Sequence, residues 1–206
     1  MKGGELMEEL LEQVLNVLKE EDLKVGLPNP ADYYHYKGLK DGTVILNDEV
    51  CDENIEKVIF PLQQLDEDKN IKHITFYINS VGGDPQVGMA IVSCLENMKT
   101  PVTIHILGRA CSAACYIAMA KGKHINTVCG KYAVGLIHAG SVYIEGDANN
   151  ARDTQAFLDR YDNEVLKDFV LSHTKIDEEL YDAHGRNEWW LLAEDMLKYG
   201  IVDEIV

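Results

Sequence analysis

Basic residues are scarce in this chain of 206 residues: 19 Lys and Arg stand against 35 Asp and Glu, a formal charge of −16. Nucleic acid and anionic membrane would both repel such a surface, so neither is expected as a partner. The five cysteines (Cys51, Cys94, Cys111, Cys115, Cys129) are odd in number and scattered. No CxxC spacing makes a zinc site, and the pattern excludes a disulfide framework. Their expected role is small core filler in a reducing compartment, and Cys111 as a nucleophile has no base beside it. No apolar run is long enough to span a bilayer, and the N-terminus lacks a basic–apolar–small signal pattern. A cytoplasmic protein is the expectation. Lys121-Gly122-Lys123 lacks the upstream glycine and following Ser/Thr of a phosphate-binding loop.

A 46% hydrophobic content is enough for one domain with a sizeable core. Leu6, Leu10, Leu11, Val14, Leu15 and Leu18 predict an amphipathic helix over Glu5–Leu23, which Gly26-Leu27-Pro28-Asn29-Pro30 ends as a linker. The aromatic segment Tyr33-Tyr34-His35-Tyr36 reads as an edge segment or subunit contact. From Gly42 onward, strands and helices alternate. Strands are predicted at Thr43–Leu46, His73–Ile78, Pro101–Leu107, His124–Val128, Tyr132–Ile137 and Ile201–Val206. Helices are predicted at Asp52–Asp66 (kinked or shortened by Pro61), Val87–Met98, Ser112–Ala120, Asp147–His173, Asp177–Ala183 and Ala193–Tyr199. Along Asp147–His173 the apolar stripe is Ala151, Thr154, Leu158, Tyr161, Val165 and Phe169. Gly140–Gly146 reads as an exposed hairpin.

The chemistry concentrates in Leu107-Gly108-Arg109-Ala110-Cys111-Ser112-Ala113-Ala114-Cys115. A strand that breaks at Gly108 and restarts as an Ala-rich helix would hold Ser112 at a sharp turn. Backbone N–H groups at that helix start could stabilise a negative oxygen. A serine hydroxyl needs a base, and a neutral imidazole suits that task. Of seven histidines, His105 reads as a core residue, while His35, His73, His124 and His173 read as surface residues at element edges. His138 differs, because it ends an apolar strand just before a small-residue loop. Asn79-Ser80-Val81-Gly82-Gly83-Asp84-Pro85 is a glycine turn between strand and helix, where a backbone N–H can approach a ligand closely. Taken alone, it reads first as a plain strand-to-helix connection.

Three stretches follow in order: Tyr77-Ile78-Asn79-Ser80-Val81-Gly82-Gly83, Gly108-Arg109-Ala110-Cys111-Ser112-Ala113-Ala114 and Leu136-Ile137-His138. Together with Tyr199-Gly200-Ile201-Val202-Asp203 they resemble the motifs of the proteolytic subunit family of the Clp protease. The resemblance covers about residues 42–206 and leaves 1–41 as a divergent N-terminal helical segment and linker. It implies an α/β fold of the crotonase-type spiral, built of ββα units, with Asp147–His173 as a projecting handle helix. It also implies a serine peptidase acting on peptides or unfolded proteins, with Ser112 as nucleophile, His138 as general base, and the Gly83 and Ala113 amides as oxyanion hole. No metal or organic cofactor is implied. The implied partners are further copies of the chain, in a heptameric ring or double ring, and a separate AAA+ unfoldase.

The sequence departs from the family at several points. The family's aspartate falls on Glu188, with Asn187 and Asp182 as alternatives for the third member of the triad. Asn97 stands where an aromatic helps dock the unfoldase, although Tyr77 is kept, and Asn187 replaces an arginine used between rings. Val81, Ala113 and Ala114 replace Pro, Met and Gly. These changes motivate a second reading, a weakly active or inactive ring subunit with a scaffold or regulatory role. A crotonase-like acyl-CoA enzyme shares the fold but would not need the serine–histidine pair.

Overall fold

The strands predicted from apolar alternation assemble into one sheet in a computed structural model of the chain, which describes residues 30–140, 144, 146–185 and 187–206. The helix expected over Glu5–Leu23, its linker up to Asn29, and most of the Gly140–Gly146 hairpin lie outside the described residues. The chain divides after Lys40 into two units, and the second comprises Asp41–Val206. In the first, Pro30–Lys40 forms helix α1. Proline suits a first helical position because its missing N–H would be unpaired there. The aromatic segment Tyr33–Tyr36 is therefore helical.

In the second unit, strands β1 (Thr43–Leu46), β2 (Ile74–Ser80), β3 (Val102–Cys111), β4 (Ile125–Cys129) and β7 (Glu204–Ile205) run side by side and parallel. Alternate residues of β1, β2 and β3 (Leu46, Phe76, Ile78, Ile104, Ile106) point inward and are at most 1% exposed. This period of two is what a sheet with one covered face requires. His105 falls on the other face, half-buried, with its ring 5.3 Å from that of Tyr77. It is not the core residue expected from its mid-strand position. Helices α2 (Phe60–Glu67), α3 (Pro85–Glu96) and α4 (Ala113–Ala118) complete this mixed α/β layer.

Two wide helical turns correct the expected helices. Before α2, residues Ile55–Ile59 form a π-turn in which the Phe60 amide donates to Ile55 O. Pro61 follows immediately and has no N–H to continue the ladder, so the helix widens where the proline enters. Within Asp147–His173, a π-turn at Asp162–Leu166 joins α5 (Ala148–Tyr161) to α6 (Lys167–His173). The extra residue re-phases the apolar stripe: Leu166, Phe169 and Val170 are buried, whereas the expected Val165 is exposed. No residue of α5 is buried, so this part of the handle stands clear of the core. At its base, Phe169 meets Tyr116 of α4 edge-on at 6.3 Å and stacks on His173, whose Nε2 lies 3.0 Å from Glu96 Oε1.

The loop that feeds β3 is tied down by Asp66, whose Oδ1 accepts from the Lys99 amide at 2.9 Å and the Thr100 amide at 2.7 Å. Partial burial pushes this carboxyl up, but the Thr100 and Lys99 amides outweigh it and hold it below the usual carboxylate value. A depressed carboxyl contributes stability that is present above the unfolded pKa of about 3.9 and lost as pH falls through its folded value. Asp66→Asn is expected to lower stability at pH 7 by less than about 1 kcal/mol, since the group is largely solvated. Chemical denaturation should show the gap between variant and parent closing below pH 4.

Candidate active site

The strand that delivers Ser112 does not break at Gly108. β3 continues to Cys111 and changes neighbour on the way, pairing with β4 through Val102–Ile106 and with β5 (Val134–Ile137) through Arg109–Cys111. Gly108 marks this irregularity, where the register to β2 also slips between Ile78 and Ser80. Helix α4 then begins at Ala113, so the turn is confined to Ser112.

Ser112 sits at φ 54°, ψ −127°, and among the described residues it alone has a positive φ without being glycine. That conformation costs on the order of 1–3 kcal/mol and persists only where the surroundings enforce it. They do so here through backbone hydrogen bonds. The Ser112 amide donates to Leu136 O at 2.8 Å, and Ser112 O accepts from the Cys115 amide at 2.8 Å. A serine on such a strand-to-helix turn has its hydroxyl projected away from both elements, the arrangement of a nucleophile elbow. Cys111 and Cys115 flank it, but burial pushes both thiols up, Cys115 to about 12. Neither is a thiolate near neutral pH, which removes the cysteine alternative.

The glycine turn closes against this elbow. Gly82 has φ +90°, and a Cβ there would lie 2.3 Å from Cys111 O and 2.6 Å from Ser112 Cβ. Gly83 has φ +149°, and its Cβ would meet Val50 O at 2.2 Å. Both positions exclude a side chain, Gly82 because of the nucleophile turn itself. The family resemblance implies a role for Gly83 alone, whereas the doubled glycine in the sequence marks both positions. Asp84 starts α3 by accepting from the Gln86 amide at 2.7 Å and the Val87 amide at 3.3 Å. Among the described residues, neither the Gly83 nor the Ala113 amide donates to a backbone acceptor. An N–H left open beside a serine is what an oxyanion hole requires.

His138 lies one residue past the end of β5, on the strand whose Leu136 carbonyl holds the Ser112 amide. Strand β6 (Trp189–Leu192) pairs antiparallel with β5, matching Leu136 to Trp190 and Ile137 to Trp189. The ladder ends at that last pair, so His138 follows one of its residues and Glu188 precedes the other. Of the two alternatives, the Asp182 carboxylate is engaged 2.8 Å from Lys167 Nζ. Among the described residues, Ser112 Oγ and the His138 ring make no hydrogen bond. Such contacts are commonly long in a free enzyme and tighten on a bound substrate. Glu188 Oε2 accepts from Trp190 Nε1 at 3.3 Å. Beside it, Trp189 is half-buried and Trp190 is 56% exposed.

A parallel-dominated sheet with a serine on a strained strand-to-helix turn, a double-glycine turn packed against it and a histidine just past the next strand places the chain among mixed α/β folds. The comparison with known proteins is consistent with this class. The family model described as Clp protease matches residues 31–206, and the chain belongs to that family. The match begins within α1, earlier than the boundary at residue 42 inferred from motifs. The chain is 29% identical over 180 residues to an ATP-dependent Clp protease proteolytic subunit of Streptococcus mutans serotype c, covering 82% of this chain and 86% of the relative. Proteins of the same name from Streptococcus gordonii and Borreliella afzelii are each 28% identical, over 170 and 176 residues, covering 82% of this chain and 86% and 84% of theirs.

Among the described residues, no helix is long and apolar enough to cross a membrane.

Proposed function

We propose that the protein is a serine endopeptidase that cleaves peptides or unfolded proteins through Ser112, His138 and Glu188. The observation that carries this reading is the strained Ser112 elbow, hydrogen-bonded to the strand that ends at His138. His138 takes the Ser112 proton as Oγ bonds to the scissile carbonyl carbon, and the carbonyl oxygen becomes an oxyanion. The Gly83 and Ala113 amides receive that charge from fixed positions, which needs no rearrangement as it develops. The C–N bond then breaks, with His138 giving its proton to the leaving amine. Water repeats the sequence on the acyl-enzyme, leaving free Ser112 and a carboxylate. Glu188 holds the imidazole's orientation and balances its positive charge. No metal or organic cofactor enters any of these steps.

The relatives' names supply the setting: they are subunits of an ATP-dependent protease. The chain's Lys121-Gly122-Lys123 lacks the pattern of a phosphate-binding loop. ATP dependence therefore resides in a separate AAA+ unfoldase, and several copies of this chain enclose the chamber as a heptameric ring or double ring. The cytoplasm suits such a partner.

Glu188→Gln tests the least conventional member. It keeps the shape but removes the charge that stabilises imidazolium, and peptide hydrolysis is expected to fall about 10²–10⁴-fold. Unchanged turnover in a folded variant would show that another acid, or none, serves His138.

A further inference from the structure

We propose that Trp190 is a positioning residue that locks the Glu188 carboxylate against His138, an inference that rests on the triad reading above. A glutamate has three torsions to fix before one of its oxygens can meet an imidazole, and an exposed glutamate fixes none of them by packing. Glu188 and Trp190 are two residues apart at the start of β6, so strand alternation puts them on one face. The intervening Trp189 faces the other way and is packed, its ring 5.0 Å from His184 and 5.3 Å from Tyr199. That packing stops the strand from rolling. The ladder fixes Trp190 opposite Leu136 and ends at Ile137 and Trp189, the neighbours of His138 and Glu188.

The indole N–H donates to Glu188 Oε2 at 3.3 Å. One carboxylate oxygen is thereby held, which leaves Oε1 for the imidazole one cross-strand step away. An indole is suited to this because it is a donor only and never titrates, so it can hold the carboxylate without competing for the proton. The function also gives a reason for placing a large aromatic more than half in solvent beside an acid. Packing does not call for it, because Leu191 and Trp189 already cover the inner face of β6.

The test measures the rate at which a fluorophosphonate labels Ser112 as a function of probe concentration and pH, in the full-length chain. Trp190→Phe keeps the ring and removes the N–H. The maximal labelling rate is expected to fall about 10-fold, the worth of one hydrogen bond to a charged group, with half-saturation unchanged. The pH profile of labelling should change in the same direction as in Glu188→Gln and by less, which a loss of packing alone would not produce. Trp190→Gln restores a non-titrating N–H donor and should recover most of the rate. In a Glu188→Gln background, Trp190→Phe should add less than a twofold change. Equal slowing in both backgrounds, or no slowing by Trp190→Phe while Glu188→Gln is slow, overturns the role given to Trp190 and leaves Glu188 in place. Full labelling in Glu188→Gln removes Glu188 from the site and the role of Trp190 with it.

Discussion

Replacing Ser112 by alanine is expected to abolish peptide hydrolysis, by about 10⁴-fold or more, while leaving the fold intact. Two opposing effects set the stability of that variant. Alanine at φ 54° carries the same backbone strain as serine. The hydroxyl makes no hydrogen bond among the described residues, so its loss leaves no partner unsatisfied. Ser112→Ala should therefore melt within about 1 kcal/mol of the parent. A variant that lost activity and stability together would point to a structural serine. Residual hydrolysis at even a tenth of the parent rate would rule out Ser112 as nucleophile.

Gly82→Ala is the second large expected effect, and it arises from geometry instead of chemistry. The added Cβ would lie 2.3 Å from a backbone oxygen at Cys111 and 2.9 Å from the Ala113 amide nitrogen. Neither atom is the end of a flexible side chain, so the glycine turn and the serine elbow must move apart. A cost of about 3 kcal/mol is expected from overpacking and left-handed strain together, lowering Tm by roughly 6–12 °C at this chain length. Activity should fall further than stability, because the Gly83 and Ala113 amides on either side of the contact are displaced. Gly140→Ala is the control. Gly140 has a similar φ of +77° and, among the described residues, no atom within 4 Å of its Cβ, so only the backbone term of about 1–2 kcal/mol applies. Equal melting losses in the two variants would contradict the close approach at Gly82.

Much of this was legible in the sequence for reasons that are local. Period-two apolar runs such as Ile74-Thr75-Phe76-Tyr77-Ile78 mark strands with one covered face, and the doubled glycine at 82–83 marks a turn that no side chain can occupy. What the sequence hid depends on contacts between distant segments. Gly108 reads as a strand end because its role, letting β3 exchange one neighbour for another, exists only once β4 and β5 are both in place. The π-turn at Asp162–Leu166 shifts the buried stripe from Val165 to Leu166, which a fixed period of 3.6 cannot anticipate. The Trp189–Trp190 pair looks like core, and only its pairing with β5 shows that the two rings face opposite ways.

The candidate site divides along the same line. Ser112 is placed by its own turn, which the small-residue run announces. The choice of Glu188 as the acid behind His138 rests on an antiparallel ladder between segments far apart in the chain, which ends at the neighbours of both, and on the Lys167 contact that engages Asp182.

The most direct measurement is fluorophosphonate labelling of the full-length protein, with the modified residue located by peptide mass spectrometry. A single adduct is expected on Ser112, absent in Ser112→Ala and formed far more slowly in His138→Ala. A folded, assembled protein that takes up no label, or takes it up equally well without His138, would contradict the account and favour a ring subunit that has kept the fold without the chemistry.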